Sequence, residues 1–228
     1  MTNRIRILDV PVDCVDEQQA LKAISSFLAD GERHQLVFLT MRNLFKGRRD
    51  AEFRRLLREA SLILPVHPGL FRATRWLRKL KLTVFSPFSF IIRLLSLTEQ
   101  LNRTVYLLGS RKEDIERAER NLRGSYPRLR LVGRYSGFFS KSAEKQVLMA
   151  IKKASPSFLM VGSGLSGRDL WVLRKKRELN PGVYIWVGDC FEVFSGKRKI
   201  SRLAAEGSSL VSVCWFWLIV LLAKVFKR

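Results

Sequence analysis

Short apolar runs alternate with amphipathic stretches along most of the chain, and the clearest example lies at its centre. Val105–Leu108 is an apolar, β-prone run, Glu113–Leu122 has apolar residues at helical spacing, and Leu129–Val132 is a second β-prone run. Ser110 is placed to cap the start of this helix and Gly124 to end it. Strand, helix and strand in about 30 residues make a βαβ unit, which implies a parallel sheet with ligands at the carboxyl ends of its strands.

The same alternation continues on both sides of this unit. We therefore predict one Rossmann-like, doubly wound α/β domain, in which a mostly parallel sheet carries helices on both faces. Further strands are predicted at Ile5–Val10, Gln35–Leu39, Leu62–Leu64, Phe158–Val161 and Val183–Val187. Further helices are predicted after Asp16, over Arg48–Ala60, over Phe85–Leu97, after Ser142 and over Asp169–Leu179.

The C-terminal region differs from the rest of the chain. Leu210–Phe226 is a largely aromatic and aliphatic run that ends among cations. It is shorter than the roughly 20 apolar residues that span a bilayer, so we predict an interfacial or re-entrant helix with Trp215 and Trp217 at head-group depth. A buried core helix is the alternative interpretation. The predicted division is an α/β domain, residues 1–203, and a membrane-associating appendage, residues 204–228.

The net charge of the chain indicates which class of molecule it binds. The formal net charge is +22 at pH 7, from 42 Lys and Arg against 20 Asp and Glu. Such an excess of cations indicates a polyanionic partner, namely anionic lipid head groups, nucleic acid or a phosphorylated substrate. The three cysteines form neither a disulfide framework nor a metal-ligand spacing, and the N-terminus lacks the apolar segment of a secretory signal. We expect a reducing compartment, and no motif requires a metal or a cofactor.

Glycine follows three of the predicted strands, at Gly109-Ser110, Gly162 to Gly164 and Gly188. Glycine lets backbone N–H groups approach an anion, so these turns are candidate phosphate cradles. None forms a GxGxxG or Walker motif, and the need for a tight turn between strand and helix explains each glycine equally well. Because the turns converge on the edge of a parallel sheet at which such folds bind nucleotides, we favour the binding interpretation.

Three stretches of the sequence resemble one known family. They are the central order of strand, LLGS, helix, YP, strand and SGFF, with Arg48–Pro65 (RRDAEFRRLLREASLILP) and Val187–Lys199 (VGDCFEVFSGKRK). The last two are similar to the patterns ARrDpefrrlLneADLvLPDG and VGgaFdvlaGkvkRAP of the WecG/TagA/CpsF glycosyltransferases, carbohydrate-active family 26. The resemblance spans roughly Asp9 to Lys199. It implies transfer of an N-acetylhexosamine or related sugar from a UDP-sugar to a polyprenyl-diphosphate-linked acceptor, in bacterial envelope polysaccharide or glycolipid synthesis.

The resemblance also implies partners and a location. A UDP-sugar donor and a lipid-linked acceptor would meet at the cytoplasmic face of the bacterial inner membrane, with the protein bound peripherally or through its C-terminal appendage. The donor-binding candidates are Gly109, Ser110, Gly162, Ser163, Gly164, Arg168 and Gly188. The candidates for contact with the membrane or acceptor are Arg75, Arg78, Lys197, Arg198, Arg202, Trp215 and Trp217. A solvated basic face is the alternative explanation of these cations, and whether the chain forms a homo-oligomer stays open.

The polar residues of the family motifs are mostly replaced in this chain. Val66 stands where the family has its proposed catalytic Asp, and Thr40 is the polar residue left from a Thr-x-Asn motif. The family's Pro-Lys-Gln-Glu reads Ser-Gly-Arg-Asp here, so that Asp169 keeps the charge of the Glu. The catalytic candidates are Thr40, His67 and Asp169; His67 follows Val66, and with an ordinary pKa of about 6.5 it suits a general base. The competing explanations are a turn residue at His67 and a carboxylate that satisfies a helix dipole at Asp169.

Three functions fit these features to different degrees. The first is a glycosyltransferase whose chemistry has moved to other residues. The second is a catalytically impaired relative that binds sugar nucleotides at the membrane or acts as a scaffold there. The third is a nucleic-acid-binding protein, because phosphate contacts alone give non-specific affinity. The sequence has no helix-turn-helix, zinc or RNP signature, and its aromatic residues do not interleave with basic ones, so nucleic acid ranks last.

Overall fold

Strands and helices alternate around one central sheet. The computed structural model describes residues 3–7, 10–78, 82–167 and 169–199. The strands are β1 (Asn3–Ile7), β2 (Val10–Cys14), β3 (Arg33–Leu39), β4 (Leu62–Pro65), β5 (Thr104–Leu108), β6 (Arg130–Tyr135), β7 (Phe158–Gly162) and β8 (Gly182–Gly188). The helices are α1 (Glu17–Phe27), α2 (Met41–Arg49), α3 (Ala51–Glu59), α4 (Pro68–Arg78), α5 (Pro87–Gln100), α6 (Lys112–Ser125), α7 (Glu144–Ala154), α8 (Asp169–Lys175) and α9 (Cys190–Phe194).

Strands β3 to β8 form a six-stranded sheet in the order β4-β3-β8-β7-β5-β6, and every neighbouring pair is parallel. Successive side chains of a strand point to opposite faces. Leu36 and Leu107 join the apolar cluster formed with α1, α5, α6 and α9, whereas Val37 packs with α2 and α3, and Leu108 with α7 and α8. The predicted α/β fold, a parallel sheet between helices, is confirmed.

The connections leave a crevice at the carboxyl ends of the central strands. Strands β5 and β8 lead into α6 and α9, which pack on one face of the sheet, whereas the neighbouring β7 leads into α8 on the other face. In open α/β sheets, ligands bind where the chain leaves neighbouring strands in opposite directions. The topology therefore predicts a ligand-binding site among the residues that follow β5, β7 and β8.

The first predicted strand, Ile5–Val10, is wrong, because this part of the chain forms the antiparallel hairpin β1–β2 outside the main sheet. The hairpin is held by Asp13, whose side chain is fully buried. Arg4 donates two hydrogen bonds to the Asp13 carboxylate, at 2.7 and 2.9 Å, and a further one to the Ser61 carbonyl at 3.0 Å. The same carboxylate accepts the Ile63 N–H at 2.7 Å, which ties the hairpin to β4.

The basic helix predicted over Arg48–Ala60 is also wrong in extent, since two helices, α2 and α3, meet at Asp50. The Asp50 backbone N–H closes α2 on the Lys46 carbonyl, and the Asp50 carboxylate accepts the Phe53 N–H at 3.0 Å to start α3. This hydrogen bond lowers the pKa of the Asp50 carboxyl group, with a further contribution from the positive charge of Lys46.

Two other predicted helix starts have opposite outcomes. Asp16 does cap α1: its carboxylate accepts the Gln19 N–H at 2.8 Å, and the Gln19 side chain accepts the Asp16 N–H in return. Ser142 does not cap α7, which begins at Glu144 without a side-chain cap.

The predicted C-terminal helix over 210–226, with Trp215 and Trp217, lies outside the described residues, as do Arg168 and Arg202. Within the described part of the chain, no helix is both long and apolar enough to cross a bilayer. The division between residues 203 and 204 stays a prediction.

Asp13→Ala should lower the free energy of unfolding by about 3 kcal/mol, because the Arg4 guanidinium and the buried Ile63 N–H would both lose their partner. Urea denaturation measures this loss. Asp16→Ala is a matched control that removes an exposed helix cap, for which about 1 kcal/mol is expected. Equal losses for the two variants would contradict the role given to Asp13.

Candidate functional site

The turns that end β5, β6 and β7 are packed backbone against backbone. A Cβ atom at Gly109 would lie 2.6 Å from the Gly162 Cα, and one at Gly137 would lie 2.2 Å from the Ser163 carbonyl oxygen. Gly109 also has a φ of +137°, which residues with a side chain rarely adopt. These glycines are therefore required for the close approach of the turns, whatever else they do.

The backbone amides of Gly109, Ser110 and Ser163 in these turns already have internal partners. The Gly109 N–H donates to the Tyr135 carbonyl at 2.9 Å. The Ser110 N–H donates to the Ser163 carbonyl at 2.6 Å, and the Ser163 N–H to that of Gly188 at 3.1 Å. Amides that are paired in this way are not free to cradle a phosphate. Donor binding at these turns stays a prediction, and at Ser110 and Ser163 it would depend on side chains.

Glu192, on α9, is the acidic side chain on which the turns after β5 and β7 converge. Its Oε1 accepts hydrogen bonds from Ser110 Oγ at 2.8 Å and from Ser163 Oγ at 2.6 Å. Its Oε2 is buried and has no hydrogen-bond partner within the described residues. A buried polar atom without a partner is uncommon and costly, so an N–H or O–H group of a ligand would supply the missing hydrogen bond.

Ser110 is held in an uncommon conformation to make this contact. It is fully buried and has a φ of +59°, in the left-handed region that costs a residue other than glycine roughly 1–3 kcal/mol. Its predicted role as a helix cap is wrong, because α6 begins at Lys112 after Arg111 and has no side-chain cap. The hydroxyl group bonds to Glu192 instead.

Two residues of this site were not among the predicted ones. Glu192 occupies the acidic position of the family pattern VGgaFdvlaG within VGDCFEVFSGKRK, so a signal was present in the motif. Phe138 is 63% exposed, and its ring covers Gly164, where a Cβ atom would lie 2.8 Å from the ring. Gly164 follows Ser163, so an exposed aromatic face adjoins the turn that contacts Glu192, and such faces stack on planar rings.

The predicted catalytic residues Thr40 and His67 lie at the ends of β3 and β4. Leu39 pairs with Pro65 in the parallel register, which makes Thr40 and Val66 neighbours. Thr40 Oγ1 accepts the Asn43 N–H at 3.1 Å and caps α2, and Val66 is partly buried against the apolar core. Since strands in a sheet are about 4.8 Å apart, the ends of β3 and β4 lie about 10 and 14 Å from β7, with β8 between β3 and β7.

One ring nitrogen of His67 already accepts a hydrogen bond. Its Nδ1 accepts the Gly69 N–H at 3.0 Å, so in the neutral ring Nε2 carries the hydrogen and acts as a donor. Burial lowers the pKa of the imidazole, and the positive charge of Arg72 lowers it further. His67 is therefore neutral at pH 7, but accepting a proton at Nδ1 requires loss of the Gly69 hydrogen bond.

The other predicted residues are distributed around these two ends. Asp169 is the first residue of α8, Arg75 lies exposed on α4, and Arg78 ends that helix. Lys197 Nζ lies 2.7 Å from an Asp114 carboxylate oxygen, and Arg198 pairs with Asp189. The positive charges of Lys197 and Arg198 are thus partly neutralised within the fold, and a role at the membrane stays a prediction for all these cations.

Comparison with known proteins identifies the same family as the motifs. The family model described as "Glycosyl transferase WecG/TagA/CpsF family" matches residues 5–204. The chain belongs to this family. Relatives of this WecG/TagA/CpsF protein include the N-acetylglucosaminyldiphosphoundecaprenol N-acetyl-beta-D-mannosaminyltransferases of Staphylococcus aureus strains NCTC 8325 / PS 47 and COL, each 24% identical over 87% of this chain and 78% of the relative. That of strain MRSA252 is 23% identical over the same shares.

The environment of His67 in this WecG/TagA/CpsF protein predicts a pH response. Its imidazole should titrate below the ordinary pKa of about 6.5, and Arg72→Gln should raise this pKa by removing a repulsive charge. Because the folded state takes up this proton less readily than the unfolded state, the free energy of unfolding should fall as the pH drops through that range.

Proton NMR of the imidazole resonances measures the titration, and the chain has only two histidines. The variant His34→Gln assigns the signal of His67 by elimination. A His67 pKa at or above the ordinary value, or one that does not respond to Arg72→Gln, would contradict the environment described.

Proposed function

We propose that this protein is a glycosyltransferase that moves an N-acetylhexosamine from a UDP-sugar to a polyprenyl-diphosphate-linked acceptor. The observation that carries the proposal is the carboxylate of Glu192, held by Ser110 and Ser163 at the carboxyl edge of the sheet with one buried oxygen unpaired. Family membership supports the reaction class. The names of the relatives support an acceptor of the N-acetylglucosaminyl-diphosphoundecaprenol type and N-acetylmannosamine as the first sugar to test.

In this proposal the donor nucleotide occupies the ends of β5, β7 and β8. Glu192 Oε2 accepts an N–H or O–H group of the base or ribose, and the exposed ring of Phe138 stacks on the base. The diphosphate and sugar then extend across β8 toward β3 and β4, which lie about 10 and 14 Å from β7. The high net charge of +22 favours both a diphosphate donor and a diphosphate-linked acceptor.

The transfer itself takes place at the ends of β3 and β4. An acceptor hydroxyl oxygen bonds to the anomeric carbon, the bond from that carbon to the diphosphate breaks, and UDP leaves with the electron pair. The proton of the hydroxyl passes to His67 Nδ1 once the Gly69 N–H has been released, because Val66 has no group that accepts a proton. Burial and Arg72 keep His67 neutral and available for this step.

A second function is donor binding without turnover, and two observations favour it. Val66 fills the position of the family's proposed catalytic Asp and packs against the core, and His67 Nδ1 is engaged by Gly69. A protein with the donor end intact and the β3–β4 end inert would bind sugar nucleotides as a membrane-bound receptor or scaffold. Binding and turnover assays on the same variants separate the two functions.

Binding of the donor tests the site at Glu192. Calorimetric titration of the full chain with UDP and UDP-N-acetylhexosamines should show binding that is tighter than that of ATP. Glu192→Gln should weaken it by about tenfold or more, since a hydrogen bond to a charged group contributes roughly 1.5–3 kcal/mol. Glu32→Gln, which removes the same charge beside the amino end of β3, is the control and should bind as the unaltered chain does. Absence of any UDP binding, or equal affinities for both variants, would exclude this donor site.

Turnover tests the assignment of His67. If it accepts the proton, His67→Ala should lower the rate of sugar transfer by roughly 100-fold or more while donor affinity stays within about threefold. If the chain binds without turnover, the unaltered protein should be inactive and Val66→Asp should create activity. Transfer of radiolabelled sugar to a synthetic polyprenyl-diphosphate acceptor measures both. Full activity of His67→Ala would rule out its catalytic role.

A further inference from the structure

A groove lined mainly by arginines lies between the hairpin β1–β2 and the helices α2 and α3, away from the carboxyl edge of the sheet. Its volume is about 830 Å³. The lining residues are Arg4, Arg6, Val10, Pro11, Gly47, Arg48, Arg54 and Arg58. Five of these eight residues are arginines, and none of the described residues that line the groove is acidic. The groove therefore concentrates positive charge, of which only the charge of Arg4 is balanced within the described residues, by Asp13.

Two of the arginines fix the walls of the groove. Arg4 holds the hairpin to β4 through the Asp13 carboxylate and the Ser61 carbonyl. Arg54 donates to the carbonyls of Gly47 and Arg48, which sets the angle between α2 and α3. These guanidinium groups are engaged in the fold, so the shape of the groove exists before any ligand arrives.

The other three arginines have no such structural use. Arg6, Arg48 and Arg58 are exposed, and their side chains make no ion pair or hydrogen bond within the described residues. Like charges gathered around one concavity repel one another, and an anionic partner would relieve this repulsion. Guanidinium groups pair with phosphate oxygens through two parallel hydrogen bonds, which makes phosphate the matching chemistry.

The lining also indicates which phosphate-bearing partner fits. No aromatic side chain lines the groove, so it offers no stacking platform for nucleic-acid bases. The lining therefore fits separate phosphate head groups, as at an anionic bilayer surface, better than a nucleic acid.

We propose that this arginine groove is a docking surface for the phosphate head groups of an anionic phospholipid bilayer. The proposal rests on the charge and the lining of the groove and not on the proposed function. Arg6, Arg48 and Arg58 bind the head groups, and Arg4 and Arg54 keep the groove open.

Vesicle flotation of the full chain tests this proposal without donor or acceptor. Vesicles of phosphatidylcholine alone are compared with vesicles that also contain the anionic lipid phosphatidylglycerol. The groove variant Arg6→Gln/Arg48→Gln/Arg58→Gln should bind the anionic vesicles about tenfold or more weakly than the unaltered chain. Arg6→Lys/Arg48→Lys/Arg58→Lys keeps the charges and should retain most of the binding.

A matched control removes the same three charges at the opposite end of the sheet. Arg117→Gln/Arg120→Gln/Lys145→Gln alters exposed residues of α6 and α7 and should change vesicle binding by less than about threefold. Unchanged binding of the groove variant, or equal losses for groove variant and control, would overturn the proposal. So would a larger loss for a 20-nucleotide oligonucleotide than for vesicles, measured by fluorescence anisotropy.

Because no sugar nucleotide is present, this test is independent of the transfer reaction. A chain that fails to bind UDP can still show the predicted loss on vesicles, and a transferase can fail the vesicle test. The melting temperature of each variant, followed by circular dichroism, establishes that the folded state is retained. The three groove side chains make no ion pair or hydrogen bond within the described residues, so only a small loss of stability is expected, from the charges of Arg48 and Arg58 in the last turns of α2 and α3.

Discussion

The contact between Gly109 and Gly162 is the constraint on which the candidate donor site depends. At this point the turns after β5 and β7 approach so closely that a Cβ atom on Gly109 would overlap the other backbone. The approach forces Ser110 into the left-handed region and brings its hydroxyl and that of Ser163 to the same oxygen of Glu192. A carboxylate from α9 is thereby held between two loops by contacts that use one of its two oxygens.

The two ends of the site differ in their electrostatic state. At the β5–β7 end the fold keeps a buried carboxylate with spare hydrogen-bonding capacity. At the β3–β4 end the polar groups are engaged locally, Thr40 in a helix cap and His67 with Gly69, and an aliphatic side chain holds the position between them. The groups that we propose for donor recognition and for transfer therefore form two separate sets of residues in this chain.

The periodicity of apolar residues was sufficient to predict the sheet and most helices, because strands covered on both faces must be apolar throughout. It failed where a single polar side chain decides the path of the chain. Asp13 stabilises a hairpin where a single strand was predicted. Asp50 separates two helices where a single helix was predicted. For the site, glycine turns were recognised, but the partner of Ser110 could not be, since Glu192 is distant in sequence and meets it only through the sheet order.

The two outer strands of the sheet affect whether molecules of this protein associate in solution. A parallel sheet has two outer strands whose unpaired backbone groups can recruit a strand of another molecule. At β4 the outward Ile63 N–H is taken up by the Asp13 carboxylate rather than by a neighbouring strand. At β6 the exposed residue Arg130 places a positive charge along the rim, and Arg134 pairs there with Glu116 and Glu119. A chain with such apolar strands is thus protected at both borders against edge-to-edge aggregation.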